Sequence, residues 1–300
     1  GTDATPCSTT MTGVSNIGVN PLPTVYAVTG GGAYCAGGTG VHVGLNYSEI
    51  GTDYELYLGG VPTGNVLPGS NSGLDFGLVT GTGVYTVVAK FPATSCQINM
   101  TGSVTISINP LPTVFNVTGG GGYCIGAAGS VIGIDGSETG VAYQLYRGMT
   151  PVGGPIPGTG APLSFGPQSA IGNYTVYAIN TATTCARGMA GSATVIINTL
   201  PIAYMVSGGG NYCSGGSGLH VLLNNSQIGV NYELYLNGSG TLLTLPGGGA
   251  LDFGLQTAPG VYTVVGTNGP GCSRTMNGSA TINVWPLPAV YNVTGGGDYC

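Results

Sequence analysis

The sequence predicts an all-β protein built as a tandem array of β-sandwich repeats. Two cysteine series recur at a constant spacing, and short runs of alternating apolar and polar residues recur between them. No segment has the 3.6-residue apolar period of a helix. Clusters of glycine and proline, which interrupt regular structure, separate the runs. A repeat of about 89 residues therefore determines the architecture.

The cysteines define this repeat. The first series, here called the head cysteines, follows a tyrosine at the end of a glycine-rich stretch, and the second, the tail cysteines, has a methionine four residues later. Successive members of each series are 89, 89 and 87 residues apart. The head cysteines are Cys35, Cys124, Cys213 and Cys300, and the tail cysteines are Cys7, Cys96, Cys185 and Cys272.

Short proline-containing junctions separate the repeats. The sequence Pro-Leu-Pro occurs three times, and Thr199 takes the place of its first proline in the remaining junction. Proline fixes φ and favours extended chain, so we predict stiff joints, with more bending at Thr199. The junction prolines are Pro21, Pro23, Pro110, Pro112, Pro201, Pro286 and Pro288. The predicted boundaries are 1–22 for the end of one repeat, 23–111, 112–200 and 201–287 for three whole repeats, and 288–300 for the start of another.

Each whole repeat is predicted to contain seven short strands. Residues 41–45 alternate apolar and polar side chains, as a half-buried strand does, and residues 84–88 and 104–108 are rich in β-branched residues. The run Gly-x-Tyr-Thr-Val places a tyrosine where immunoglobulin sandwiches have a tyrosine corner. The strand C tryptophan of antibody domains is missing, since Trp285 lies beside a junction. We therefore predict Ig-like or PKD-like sandwiches joined by short Pro-rich linkers.

The regular cysteines predict disulfides and an oxidising compartment. Zinc sites favour CxxC pairs and histidine partners, whereas this chain has no CxxC and only two histidines. Three pairings remain open. The within-repeat pairing joins Cys35 to Cys96, Cys124 to Cys185 and Cys213 to Cys272; the inter-repeat pairing joins Cys35 to Cys185 and Cys124 to Cys272; and the junction-spanning pairing joins Cys96 to Cys124.

Strand geometry bears on this choice. In an Ig sandwich, Cys35 precedes strand B at one end of the domain, and Cys96 follows strand F at the other end. A strand of six or seven residues separates these ends by about 20 Å, whereas a disulfide needs Cα atoms within roughly 7 Å. In a head-to-tail array, the end of one repeat that carries Cys35 meets the end of the next that carries Cys185. A glycine-rich excursion (residues 30–40) keeps the within-repeat pairing open.

Composition argues against several function classes. Only 5% of residues are charged and the net charge is −6, so the chain lacks the basic surface that nucleic acid or anionic lipid requires. No apolar run is long enough to insert into a membrane. The glycine-rich stretches lack the Gly-Lys-Ser/Thr of a phosphate loop. We predict instead that their glycines allow backbone conformations with positive φ or a close approach between two backbones.

Candidate catalytic residues do not persist between repeats. His42 and His220 have Val131 as their equivalent, so we predict solvent-facing strand residues. The carboxylates of Asp53 and Glu55 are also replaced in the middle repeat, and a glycosidase needs two fixed carboxyls. Asp75 and Asp252 are predicted to be isolated surface acids, since no clustered calcium motif exists; their middle equivalent is Ser164. We predict no enzyme activity, no cofactor and no metal.

The repeat resembles one found in giant surface proteins of Bacteroidetes. The matching features are the Gly-Gly-Gly-x-Tyr-Cys head, Tyr-x-Leu-Tyr, Gly-x-Tyr-Thr-Val, the tail cysteine with its methionine, and Pro-Leu-Pro. The resemblance covers nearly the whole chain. It implies Ig/PKD-like repeats exported by type IX secretion that act as gliding adhesins, cell-surface tethers or hook-like filaments.

These observations predict a structural repeat segment of a long extracellular filament or adhesin, used for surface attachment or prey capture. The expected location is extracellular, either cell-surface attached or secreted. Few charges and many tyrosines favour self-association into a multi-chain filament, and a surface glycan or cell-surface ligand is a further possible partner. The alternatives are a carbohydrate-binding array, for which Tyr57, Tyr146 and Tyr235 are the candidate aromatics, and the non-catalytic stalk of a larger secreted enzyme.

Overall fold

The computed structural model describes residues 13–298 and 300. Cys7, predicted as a tail cysteine, and residues 1–12 of the predicted segment 1–22 lie outside the described residues. The described chain contains 27 strands in three successive groups of nine. No helix among these residues has the length and apolar character that a bilayer crossing requires.

The strands of the three groups follow the same order along the chain. In the first repeat they are β1 Val28–Gly30, β2 Gly32–Cys35, β3 Val41–Leu45, β4 Asp53–Leu58, β5 Val61–Pro68, β6 Leu74–Val79, β7 Gly83–Lys90, β8 Gln97–Asn99 and β9 Val104–Asn109. In the second they are β10 Val117–Gly119, β11 Gly121–Cys124, β12 Ser130–Ile134, β13 Val141–Arg147, β14 Thr150–Pro157, β15 Leu163–Gln168, β16 Gly172–Asn180, β17 Ala186–Gly188 and β18 Ala193–Asn198. In the third they are β19 Val206–Gly208, β20 Gly210–Cys213, β21 Leu219–Leu223, β22 Val230–Leu236, β23 Ser239–Pro246, β24 Leu251–Gln256, β25 Gly260–Asn268, β26 Ser273–Thr275 and β27 Ala280–Trp285.

Each group forms two sheets with immunoglobulin topology. In the first repeat one sheet has the order β1-β3-β6, and the other has the order β2-β9-β7-β4-β5, with β8 also paired to β7. Strand β2 runs parallel to β9, whereas β1 runs antiparallel to β3. The pairs β1/β2 and β8/β9 are each one interrupted strand, so nine segments form seven strands. The predicted all-β, seven-stranded Ig-like fold is confirmed.

The glycine-rich stretch allows the first strand to pass from one sheet to the other. Gly31 lies between β1 and β2 with φ of +72°, and a Cβ there would come within 2.6 Å of Val104 Cβ. A Cβ on Gly30 would come within 2.1 Å of the His42 carbonyl oxygen. Gly120 and Gly209 hold the equivalent position with φ of +79° and +73°. The predicted need for positive φ and close approach is confirmed.

Three separate apolar cores lie between the sheets, one in each repeat. In the first core the alternating residues Val43 and Leu45 of β3 face Tyr54 and Leu56 of β4, and all four are at most 2% exposed. Strand alternation therefore supplies the core residues directly. The tyrosines of the fourth strands, Tyr54, Tyr143 and Tyr232, are fully buried in the three cores, and each hydroxyl accepts a backbone N–H at 2.9–3.0 Å.

The predicted tyrosine corner is present in every repeat. Tyr85, Tyr174 and Tyr262 are 1–2% exposed. Each hydroxyl donates to the carbonyl four residues upstream, at 2.9, 2.7 and 2.9 Å. Burial raises the pKa of Tyr85 and of Tyr262, as expected for phenols in an apolar core. The hydrogen bond ties the start of the F-type strand to the turn before it.

The junctions are attached to the repeats that they precede. The second prolines, Pro23, Pro112 and Pro201, are buried. The residue after the proline is held by the loop between the third and fourth strands: Thr113 N–H donates to Glu138, and Ile202 N–H donates to Gln227 Oε1 at 2.5 Å. The residues that follow Pro112 and Pro201 are thus hydrogen-bonded to the sandwich that they begin.

Atomic contacts divide the chain into two compact units. One runs to Pro112 and also contains Ile179–Arg187, the segment that carries Cys185. The other comprises Thr113–Ala178 and the chain from Gly188 onward. Each unit contains one of the disulfides described below.

Candidate functional site: the disulfide-bonded cysteines

Each head cysteine of the three repeats lies at the end of a short strand, in the same backbone setting. Cys35, Cys124 and Cys213 end β2, β11 and β20. Their carbonyls accept the N–H three residues later at 2.9, 3.0 and 2.9 Å, and the residue after each cysteine donates to the last strand of the repeat at 2.9, 2.9 and 2.8 Å. The backbone therefore fixes the position of each thiol from both sides.

In the three whole repeats, the tail cysteine lies directly before the short strand that follows the F-type strand, at the end of the loop of the hairpin that joins them; we call this segment the tail hairpin. The residue before the cysteine has positive φ in every repeat: 61° at Ser95, 59° at Thr184 and 86° at Gly271. The cysteine carbonyl accepts a backbone N–H across the loop at 2.9, 2.9 and 3.1 Å. The left-handed residue and this hydrogen bond define the turn that presents the sulfur.

In the three whole repeats, the methionine four residues after the tail cysteine anchors the hairpin to its own repeat. Met100, Met189 and Met276 are 3–8% exposed and belong to the three apolar cores. Each thioether sulfur lies 3.4 Å from the backbone nitrogen of the residue that begins the sandwich, at Tyr26, Phe115 and Tyr204. The sequence displayed this spacing, but its role was visible only once the fold placed these distant residues side by side.

The structure contains the inter-repeat pairing. Cys35 is bonded to Cys185 and Cys124 to Cys272, with Cα–Cα distances of 5.5 and 5.6 Å, within the range of ordinary disulfides. The within-repeat pairs Cys35–Cys96, Cys124–Cys185 and Cys213–Cys272 and the junction-spanning pair Cys96–Cys124 are absent among the described residues. The physical reason is the sandwich itself, which places head and tail cysteines of one repeat at opposite ends of its strands.

Bonded and unbonded cysteines differ in exposure. The tail cysteines Cys185 and Cys272 are 0% and 1% exposed, whereas the unbonded Cys96 is half-buried. The head cysteines Cys35 and Cys124 are half-buried, whereas the unbonded Cys213 is exposed. Cys300 is also exposed and unbonded.

Two cross-strand pairs correct the expectation of isolated surface acids. His42 Nδ1 lies 2.7 Å from Asp75 Oδ2, and His220 Nδ1 lies 2.9 Å from Asp252 Oδ2. The histidine hydrogen bond, followed by that of the Gly77 backbone, lowers the pKa of the Asp75 carboxyl. All four side chains are about half exposed or more, so the histidines do face solvent as predicted.

The candidate sugar-binding residues do not form a repeated site. In the first repeat Tyr57, Asp53 and Glu55 line a groove with Lys90. In the second, Tyr146 packs edge-on against Tyr177 at 5.6 Å, and the buried Gln144 amide donates to the Leu145 and Val152 carbonyls. In the described chain, no three His, Cys, Asp or Glu side chains are grouped to hold a metal ion.

No protein-family model matches the chain, and no curated protein matches it. Among solved structures, the chain is similar to Sidekick-1 immunoglobulin domains 1–5, with 16% identity, 86% of this chain and 57% of that chain covered, and a TM-score of 0.29. It is similar to the N-terminal eight Ig domains of Down Syndrome Cell Adhesion Molecule, with 14% identity, 87% and 37% covered, and a TM-score of 0.33. It is also similar to the ectodomain of mouse nectin-like molecule 4, with 11% identity, 90% and 98% covered, and a TM-score of 0.30. The immunoglobulin fold of this chain is assigned from its own strand order and pairing.

Proposed function

We propose that the chain is a load-bearing segment of an extracellular filament or adhesin, in which disulfides between successive repeats limit how far tension can extend it. The observation that carries this proposal is the overlap of the two disulfide loops. One bond closes residues 35–185 and the other closes 124–272, so residues 124–185 belong to both loops. Disulfides within each repeat would have no such overlap.

The overlap places three stretches of chain in parallel between the two disulfides. They are residues 35–124, 124–185 and 185–272, and the second of them is the shortest. Tension across the segment can lengthen it only until this shortest stretch is taut. The first and third repeats therefore cannot be pulled out to full length while both bonds remain.

The limit can be expressed as a contour length. Between positions 23 and 287 the taut covalent path follows the chain to Cys35, crosses to Cys185, returns along the shared stretch to Cys124, crosses to Cys272 and continues to the end. At about 3.3–3.6 Å per residue, this path spans roughly 300 Å. Without disulfides the path follows the whole chain between the same positions and spans roughly 900 Å. Reduction should thus release about 600 Å.

Single-molecule force spectroscopy, with the two chain ends held, tests the proposal. With reductant, we expect three unfolding steps, each releasing roughly 300 Å of contour. Without reductant, the fully extended chain should be about 600 Å shorter. Equal contour lengths in the two conditions would refute the proposed load limit.

Paired substitutions give a sharper form of this test, since the two bonds act non-additively. In the variant Cys124→Ser with Cys272→Ser, the taut path runs from position 23 to Cys35, crosses to Cys185 and follows the chain to position 287. This path is only slightly longer than the path with both bonds. We therefore expect a gain of about 90 Å from losing one bond and about 600 Å from losing both. If losing the second bond added only as much contour length as losing the first, the two loops would act independently, and the proposed effect of their overlap would be wrong.

The proposed location and lateral assembly rest on separate properties. Disulfides persist in oxidising compartments, which supports an extracellular setting. With 5% charged residues, side-by-side chains have little charge repulsion to overcome. Electron microscopy of the native material tests assembly: a bundle of several strands supports a filament built by these repeats, whereas single beaded strands would favour a tether or adhesin.

A further inference from the structure

We propose that the first repeat binds a short neutral oligosaccharide in the groove that contains Tyr57, on the outer face of its larger sheet. The groove lies within one sandwich, so the inference goes beyond the proposed load limit and does not depend on the disulfides. Three observations support it: the side chains that the strand register brings together, the polar groups that lack partners, and the different residues on the same face of the other repeats.

Strand alternation places polar side chains from adjacent strands on one face of this sheet. On β4, Tyr54 and Leu56 are buried in the core. The alternate residues Asp53, Glu55 and Tyr57 therefore lie on the opposite face. The strands beside β4 on this face follow the order β5-β4-β7-β8. Their residues that pair along the same rows include Val66, Val88, Lys90, Gln97 and Asn99.

The groove extends along most of β4. One part contains Asp53 and Glu55, and an adjoining part contains Asn99. Both parts are lined by Tyr57 and Gln97, which makes them one continuous groove. At about 3.3 Å per residue, the distance along the strand from Asp53 to Tyr57 is about 13 Å. This length accommodates a short oligosaccharide.

The groove combines the chemical groups that a sugar requires. A sugar ring carries hydroxyls around its edge, which both donate and accept hydrogen bonds, and C–H groups on its faces. In the groove the two carboxylates accept, the Lys90 ammonium donates, and the amides of Gln97 and Asn99 do both. The Tyr57 ring and the Val88 side chain offer apolar surface to the face of a sugar.

The charges of the groove favour a neutral ligand. Lys90 pairs with Asp53 in the strand register, which leaves the Glu55 carboxylate as the excess charge. This carboxylate repels an anionic glycan, and the lysine opposes a cationic ligand. A neutral sugar is the polyhydroxylated ligand that is compatible with both.

The carboxylates of the groove lack the partners that other acids of the chain have. Asp53 and Glu55 are half-buried, yet in the part of the chain that the structure describes no hydrogen bond or ion pair involves either carboxylate. A half-buried carboxylate has lost part of its hydration, so a ligand hydroxyl that donates to it is favourable. The acids whose carboxylates accept hydrogen bonds within the protein are Glu49, Asp75, Asp135, Glu138 and Asp252.

The middle repeat has lost these groups on the same face. Gln144 replaces the glutamate, and its buried amide donates to backbone carbonyls of its own repeat. Ile179 and Ala186 replace the lysine and the glutamine. Tyr146 retains the aromatic ring, but it packs against Tyr177.

The third repeat uses the same positions for contacts within the protein. Thr267 and Ser273 replace the lysine and the glutamine, and their hydroxyls are hydrogen-bonded to each other at 2.8 Å. Asn231 replaces the aspartate. The complete set of unpartnered groups is therefore found in the first repeat.

This face does not become accessible only because it lies in the first repeat. The middle repeat has a whole repeat before it and another after it in the sequence. Tyr177, Ile179 and Ala186, which hold the positions of Val88 and its neighbours there, are nevertheless exposed. Neighbouring repeats thus leave the equivalent face open to a ligand.

Sugar binding by the full chain tests the proposal. An array of immobilised neutral oligosaccharides, built from hexoses and N-acetylhexosamines, identifies the probe, and calorimetric titration with the soluble form of the best binder measures its affinity. We expect one oligosaccharide bound per chain. We also expect an affinity that added sodium chloride does not change, because salt screens interactions between charges and the ligand has none.

Two variants locate the site. Tyr57→Ala and Glu55→Gln should each weaken binding roughly tenfold or more, since each removes a contact worth about that factor. Glu55→Gln preserves the size of the side chain, so an unchanged melting transition shows that the lost affinity is not caused by unfolding. The matched control is Tyr146→Ala, which removes the equivalent tyrosine of the middle repeat and should leave the affinity unchanged.

Several results would overturn the proposal. Absence of binding to every sugar on the array would do so, as would equal losses of affinity in Tyr57→Ala and Tyr146→Ala. An affinity that falls steeply with salt would show a charged ligand instead. The titration is made without tension and with the disulfides intact, so its failure leaves the proposed load limit standing, and failure of the force experiment leaves the sugar site standing.

Discussion

The middle repeat and the outer repeats share one strand order but differ in their covalent constraints. In the middle repeat both Cys124 and Cys185 are bonded. The first repeat has one bonded cysteine, Cys35, beside the unbonded Cys96, and the third has Cys272 bonded while Cys213 is not. Within the described residues, the middle repeat therefore carries two bonded cysteines and each outer repeat carries one.

The difference teaches that the cross-links belong to pairs of repeats and not to single sandwiches. Each sandwich holds itself together through its own apolar core, its tyrosine corner and the methionine that anchors the tail hairpin. The disulfides act at a second level, between successive sandwiches. Substitutions at the two levels should therefore have separable effects.

The largest effect is expected from removing a bond of the middle repeat. Cys124→Ser with Cys272→Ser should lower the free energy of unfolding by about 2–5 kcal/mol, because a long loop is no longer closed in the unfolded chain. Thermal and chemical unfolding under non-reducing conditions measure this change. The matched control is Cys213→Ser, which removes an unbonded thiol and should leave the transition in place.

Reductant breaks both disulfides, so its effect on the wild-type chain can be compared with its effect on the paired variant. It should lower the stability of the wild-type chain strongly and that of the paired variant less, since the variant has only Cys35–Cys185 left to lose. A wild-type transition that does not respond to reductant would contradict the contribution of these disulfides to stability. A large loss in Cys213→Ser would assign the effect to local packing at the head cysteine.

Local sequence patterns were enough to predict the fold. Alternating residues such as Val43 and Leu45 form core strands, and the tyrosine at position 85 forms the predicted corner. These features depend on neighbours within a few residues, whose geometry the strand period determines. The glycine-rich stretch was likewise predicted to need positive φ, as Gly31 confirms.

Contacts between distant residues could not be predicted in the same way. The sequence left three disulfide pairings open, because the choice depends on which ends of the sandwiches meet. The buried Ser48 ties two loops together by donating to the Ser72 carbonyl at 2.7 Å, and nothing in its local sequence indicates this. The pairing of His42 with Asp75 was also not predicted. The two residues are replaced together in the middle repeat, and this joint replacement is the feature of the sequence that indicates the pair.

A smaller effect, equal in all repeats, is expected at the tyrosine corner. Tyr85→Phe, Tyr174→Phe and Tyr262→Phe each remove one buried hydrogen bond and should each cost about 1–2 kcal/mol of unfolding free energy. Chemical denaturation of the three variants measures the costs. Because the bond lies within each sandwich, the middle repeat should behave like the outer ones. A distinctly larger cost for Tyr174→Phe would show that the two disulfides couple the middle core to its neighbours.

The smallest effect is expected where the outer repeats differ from the middle one in charge. The lowered pKa of Asp75 means that its stabilising contribution is complete above the unfolded-state pKa of about 3.9 and is lost as pH falls through the folded-state pKa. Since both partners are exposed, the contribution should stay below about 1 kcal/mol.

His42→Val with Asp75→Ser copies the middle repeat, where Val131 and Ser164 stand at these positions. This variant should be less stable than the wild type near pH 7 by no more than that contribution, and it should lose less stability between pH 4 and pH 2, as followed by chemical denaturation across the whole range. An unchanged acid response would assign the pH dependence of the array to other carboxylates, such as Asp135 of the middle repeat, whose pKa is lowered by hydrogen bonds from Asn116.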